Sequence, residues 1–349
     1  MPKLFVTGAT GYIGGDALYA IAHAHPDYSI TALVRNSEKG AKVASQYASI
    51  RLVYGDLDST DLITEEASKA DIVCHWANAN HRAAATAIIA GLAKKPAGEK
   101  GFFIHTSGTG ILMIGDIEKG TYGIRSEKVF DDWDGIKEIT SFPDAAPHRN
   151  VDKIVLAAGE QHPGKVFTAI VCSPTIYGPG RGPDNQRSHQ AYEMSRVTLE
   201  RGKGFQIEGG QNLWTQVHVH DLSNAFLRLV EEAVKGGGAA TWGAEGYYFT
   251  ESGDFVWGDV AAAIAKDAYK KKLIKSEELD SISPKEGESF SPHGSAIWGQ
   301  NSRGRAVRAR KLLGWEPKGK SLFDLIPSIV DGEARKLGLT TAHAAQATG

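Results

Sequence analysis

Two cysteines in 349 residues, Cys74 and Cys172, are too few for a disulfide framework, and both fall at the ends of apolar runs that read as strands. They are expected to be small core residues in a reducing compartment. No run of about 18 apolar residues occurs, so the sequence offers no candidate for a membrane-spanning helix. Met1-Pro2-Lys3-Leu4 leads straight into a strand without the shape of a signal peptide, and a cytoplasmic location is expected. Charge of one sign is also missing. Lys+Arg 39 against Asp+Glu 41 leaves a formal charge of -2, whereas a surface that neutralises nucleic-acid phosphates needs a basic excess. Neither a membrane nor a nucleic acid is expected as a partner.

What remains is an ordinary globular composition, 42% hydrophobic and 23% charged, long enough at about 150 residues per domain for one large α/β unit or two coupled ones. Residues 3–175 alternate short apolar runs with helical periods. Strands are expected at Lys3 to Thr7, Ser29 to Val34, Ile50 to Tyr54, Ala70 to His75, Gly101 to Thr106 and Val166 to Cys172. Most are continuous in Val, Ile, Leu, Phe and Ala rather than alternating, as in strands buried on both faces, so a doubly wound parallel α/β sheet follows. Beyond about residue 180 the pattern turns to short strands, Gly-rich loops and amphipathic helices. Residues 1–180 are assigned to the sheet domain and 181–338 to a smaller α+β substrate region that exchanges strand and helix back with it. A flexible Ala/Thr-rich tail is assigned to 339–349.

The strongest local signal is Thr7-Gly8-Ala9-Thr10-Gly11-Tyr12-Ile13-Gly14, placed after the first strand and opening a helix. Gly8 allows a sharp turn, Gly11 lets the backbone approach a pyrophosphate, and Gly14 lets the helix pack close to the sheet. Free N–H groups at the helix start then face the phosphates. This makes the domain Rossmann-type, with Gly8, Thr10, Gly11, Tyr12, Ile13 and Gly14 on the coenzyme. The second strand ends in Arg35-Asn36-Ser37 and carries no carboxylate for ribose hydroxyls. NADP(H) is therefore preferred to NAD(H), with Arg35 on the 2′-phosphate and Ser37 as a second donor; the alternative for Arg35 is a surface loop residue. Asp56, with Leu57 beside it, accepts from the adenine amino group or caps the next helix. Ala77, after the fourth strand, lines the coenzyme, while His75 is either a contact or a structural residue.

With these residues in view, the chain resembles an extended short-chain dehydrogenase/reductase of the NAD-dependent epimerase/dehydratase type. Ser173-Pro174-Thr175-Ile176-Tyr177-Gly178-Pro179 is similar to that family's nicotinamide-side loop, which implies coenzyme contacts from Ser173, Thr175 and Ile176. Val217-His218-Val219-His220-Asp221-Leu222 and Leu312-Leu313-Gly314-Trp315-Glu316-Pro317 resemble two later signatures. The resemblance implies a Tyr acid, a Lys four residues later on the same helix face, and a hydroxyl at the end of the fifth strand. Lys153 matches the Lys and is expected at the nicotinamide ribose. Arg149 stands where the Tyr should be, and a guanidinium cannot exchange a proton near neutral pH, although it can polarise a carbonyl or pair an anion. The strand-end hydroxyl falls at Ser107, or is replaced by Gly108 with Thr109 beside it. Tyr122 and His148 are the substitute proton donors. His148 lies five residues before Lys153 and points elsewhere unless the helix begins between them.

Other constellations are weaker. His218 and His220 share a face if both sit on a strand, yet no further metal ligands present themselves, so no metal is expected. Asn185 and Gln186, with the Gly209 to Trp214 stretch, could line a substrate pocket. The leading expectation is a reductase that transfers hydride between nicotinamide and a carbonyl/alcohol substrate. The alternative is a non-catalytic NADP(H)-sensing protein, favoured by the missing Tyr. Helices Arg82 to Leu92 and His148 to Glu160 are those through which the resemblance implies a homodimer.

Overall fold

The structure is a computed structural model that describes residues 1–339. Among these residues a seven-stranded sheet forms, built from β1 (Lys3–Thr7), β2 (Ser29–Val34), β3 (Arg51–Tyr54), β4 (Ile72–His75), β5 (Gly101–Gly108), β6 (Val166–Ser173) and β7 (Tyr247–Phe249). Its order is β7-β6-β5-β4-β1-β2-β3, and every pairing is parallel. Continuous burial of β4 and of β6 beyond its second residue accounts for their unbroken apolar runs. The strand order reverses between β1 and β4, which opens a crevice above their carboxyl ends.

Helices α1 (Tyr12–Ala24), α2 (Ser37–Gln46), α3 (Thr60–Lys69), α4 (Arg82–Ala93), α5 (Arg149–Gln161) and α6 (Val219–Val234) connect and cover these strands. Two elements from beyond residue 180 lie on the sheet. Helix α6 packs on α1, with Phe226 edge-on to Trp76 at 5.8 Å, and β7 adds to the sheet beside β6. That seventh strand was not among the expected ones. It has three residues, too short for a periodic signal, and its identity as a sheet member depends on pairing with a strand about 80 residues earlier in the chain.

Beyond the carboxyl ends lies a second core containing Phe205, Trp257, Trp298, Ile326 and Val330. Strand Leu213–His218 pairs there with Thr175–Tyr177 in parallel and with Asp254–Val256 antiparallel. His218 and His220 do not share a strand face: the strand ends at His218, which caps α6 by accepting from His220 N–H at 3.2 Å. The tail assigned to 339–349 lies outside the described residues, apart from Leu339.

Candidate functional site

The carboxyl ends of β1 to β4 surround a cavity of about 440 Å³. Gly8 turns the chain at φ 85°, and a Cβ there would sit 2.7 Å from the Ala77 nitrogen, so no other residue fits without displacement. A Cβ on Gly14 would run into the Gly8 carbonyl oxygen and lie 2.9 Å from Trp76 Cβ. Helix α1 therefore starts hard against the sheet, with Thr10 and Gly11 on the cavity wall. Among the described residues no side chain caps α1, and its first turn has no acidic residue. Its unpaired N–H groups and positive dipole end suit an anion, and the excluded Cβ atoms make room for one. On these grounds the cradle fits a dinucleotide pyrophosphate.

At the other end of this cavity stand Arg35, Asp56, Leu57 and Lys39, while Ala77 closes the side toward β4. Asp56 is occupied by its own turn: Oδ1 accepts from Ser59 Oγ at 2.9 Å and from the Asp58 and Ser59 N–H groups at 3.0 Å, ahead of α3. Ser37 lies outside the cavity as the exposed first residue of α2, which Asn36 caps by accepting from Lys39 N–H at 2.9 Å. His75 is held as a structural residue, with Thr7 Oγ1 at 2.7 Å and the Asn78 carbonyl at 3.0 Å.

Sequence reasoning missed a strap, residues 179–188, that crosses the crevice. Asp184 binds Lys39 Nζ at 2.5 Å and Lys42 Nζ at 2.7 Å, and the Asn185 N–H donates to the Thr10 carbonyl at 3.2 Å. Arg181 grips the buried Asp16 of α1 through NH2 at 2.7 Å and Nε at 3.0 Å. Burial alone would push the Asp16 carboxyl up, but hydrogen bonds from Arg181 and Ser223 outweigh it and hold the group below the ordinary range. Lys39 and Asp184 are 145 residues apart, so no local pattern signals their meeting.

Gly11, Trp76, Ala77 and Asn185 also line a second chamber of about 400 Å³, together with Tyr12, Ile13 and Ile176. The Tyr12 hydroxyl donates to the Gly178 carbonyl at 2.6 Å. Ile13, Pro174, Ile176 and Gln190 belong as well to a third chamber of about 590 Å³, so the three chambers adjoin one another along a channel-like line above the sheet edge. Thr175 stays out of it, buried in its short strand opposite Gln216.

Ser107, Thr109, Tyr122 and Ser173 reach the third chamber; Lys153 and Arg149 do not. Lys153 Nζ pairs with both oxygens of Asp144, at 2.6 and 2.5 Å, on the outer side of α5. Arg149 Nε donates to the Phe142 carbonyl at 2.9 Å. The reason is where α5 begins. His148 takes a left-handed φ of 65° as its N-cap, and the helix starts at Arg149. His148 faces the chamber with Nδ1 at 2.8 Å from Asn80 Oδ1, and a Cβ on Gly108 would come within 3.0 Å of its Nε2. Loss of water around the ring, helped by the nearby His293, pushes its pKa down to about 4. Four residues on, Asp152 is buried and accepts from Ser107 Oγ at 3.0 Å and Tyr247 OH at 2.9 Å, and burial pushes its carboxyl up to about 7.

A family described as NAD(P)H-binding matches residues 8–113. The chain is 39% identical over 345 residues to oxidase ucsJ of an Acremonium species, covering 97% of this chain and 99% of that protein. Its fold is similar to dTDP-glucose 4,6-dehydratase of Bacillus anthracis solved with NAD, at TM-score 0.66 and 14% identity over 97% of this chain and 99% of that one. It is also similar to UDP-glucuronic acid 4-epimerase of Bacillus cereus solved with UDP-glucuronic acid and NAD, at TM-score 0.65 and 14% identity over 96% and 99%. The chain is an extended short-chain dehydrogenase/reductase of the epimerase/dehydratase type.

Within this member of the family the site departs from the expected pair. At the four-residue spacing where a Tyr and a Lys were sought, the residues turned toward the chamber and its floor are His148 and Asp152. Lys153 is paired with Asp144 away from the chamber. The left-handed cap that decides it has no signature in the residue types around it.

Proposed function

We propose that this extended reductase is an NADP(H)-dependent oxidoreductase that interconverts an alcohol and a carbonyl in the third chamber, with His148 handling the proton. The observation that carries the proposal is the continuity of the channel. Shared wall residues run from Arg35 and Lys39 through the glycine cradle to Ser107 and His148, which is the path a dinucleotide and a substrate would share. Arg35 and the absence of a carboxylate at the end of β2 favour the 2′-phosphorylated coenzyme.

When bound, the nicotinamide ring supplies or accepts the hydride. The remaining work belongs to the chain. His148 is neutral at pH 7, and with Nδ1–H donated to Asn80 Oδ1 its Nε2 presents a lone pair to the chamber. An alcohol O–H can pass its proton to that nitrogen, and the imidazolium returns it in the reverse direction. Thr109 also belongs to the chamber wall. Ser107 donates to Asp152 and so offers its own lone pairs to the chamber. The Acremonium relative's designation as an oxidase agrees with the oxidative direction.

We further infer that the protein works in the cytoplasm, supported by two buried free thiols. It is also proposed to pair as a homodimer through the outward faces of α4 and α5, which a monomeric mass at micromolar concentration would exclude. The test of function is turnover of NADP⁺ with a panel of secondary alcohols, in wild type and His148→Ala. Coenzyme reduction that collapses in the variant supports the proposal. Saturable coenzyme binding with no turnover in either protein would instead mark a dinucleotide sensor, a reading that the displacement of Lys153 from the channel favours.

A further inference from the structure

The third chamber constrains what can be oxidised there, and this argument rests on the functional reading above. Its walls are apolar, with Met113, Ile117, Pro147, Trp214 and Ile297 around Tyr122. Among the described residues that line it, none is Lys, Arg, Asp or Glu. Both epimerase/dehydratase structures to which the fold is similar carry names of nucleotide-sugar enzymes. A nucleotide sugar brings a diphosphate, and desolvating two such charges without cationic partners costs far more than apolar contacts return. Arg187, in the neighbouring chamber, is already committed to Glu333 at 2.8 and 2.9 Å and to Glu193 at 2.6 Å.

The polar groups that do line the chamber suit neutral ligands. Asn80, Ser107, Gln190 and Gln300 line it with uncharged polar side chains. A volume of about 590 Å³ is that of a site for a drug-sized molecule.

We propose that the substrate is an uncharged, mainly apolar secondary alcohol or ketone of bicyclic size or larger, and not a nucleotide sugar. The experiment is calorimetric titration of the full chain saturated with NADPH, using the alcohols 1-tetralol and decahydro-2-naphthol, which cannot react with the reduced coenzyme, and UDP-glucose and dTDP-glucose as probes. The apolar probes should bind at least about tenfold more tightly than either nucleotide sugar. Ile297→Arg, at a partly exposed wall position, should weaken them by about tenfold or more while leaving NADPH affinity unchanged. Apolar probes that bind no better than the nucleotide sugars, or not at all, overturn the inference, and the wild-type comparison decides this even if the variant does not fold. Normal NADPH binding with a nucleotide-sugar preference removes this inference alone, whereas absence of NADPH binding removes the functional reading beneath it.

Discussion

A neutral imidazole beside an apolar chamber can take a proton, and the pH at which it ceases to do so identifies it. With the His148 pKa pushed down to about 4, the acid limb of kcat/KM for alcohol oxidation should lie near pH 4, and the rate should not fall as pH drops from 7 to 6. His148→Ala should lower kcat by roughly 10²- to 10⁴-fold. A limb at the ordinary histidine value near 6.5, or a variant with full activity, would assign the proton to another group. Asp152 makes a separate prediction. Its carboxyl is raised to about 7, so the folded chain holds that proton more tightly than the unfolded one. The stability this contributes is complete below about pH 4 and is lost as pH rises through about 7, on the order of 4 kcal/mol. Asp152→Asn should remove that slope, read as the difference between the two proteins' urea midpoints at pH 5 and pH 8. At the coenzyme end, Arg35→Ala should weaken NADPH by roughly tenfold or more and leave NADH unchanged; equal losses for both would deny Arg35 the 2′-phosphate. Arg35 was legible because it ends a strand next to a glycine turn. His148 was only a candidate, because its placement depends on one positive φ that a histidine seldom adopts.

At the scale of elements, the cradle depends on two contacts of α1. One is the close approach of Gly14 to Gly8, where Gly14→Ala would force the helix off the turn and should cost both stability and coenzyme affinity. The other is the strap 179–188, anchored by Arg181 on the buried Asp16. Asp16→Asn leaves Arg181 and Ser223 without their ionic partner and should destabilise the chain by about 3 kcal/mol, with faster proteolysis inside the strap. Unchanged cleavage there would mean the strap is held by Asp184 and its lysines alone. The turn was legible since its three glycines lie within seven residues and follow an apolar strand. The strap was not, because its charges acquire partners only after the sheet has brought α1 and α2 beneath it.

The whole molecule places three chambers end to end above one sheet edge, with a second core behind them. Its doubly wound half could be read from continuous apolar runs, since burial on both faces of a strand leaves a trace in composition. Which strand and which helix return to that half could not, because three residues of strand and one amphipathic helix look alike whichever core they join. The same holds for the channel, whose walls come from both halves of the chain. Trp76 lies where the first two chambers meet, which makes occupancy of the channel directly observable. The decisive measurement is a titration of the intact protein with NADPH, following quenching of tryptophan emission by energy transfer to the reduced nicotinamide. Saturation at one coenzyme per chain, weakened by Gly14→Ala, is the predicted result; no transfer and no saturation with either NADPH or NADH would contradict the account.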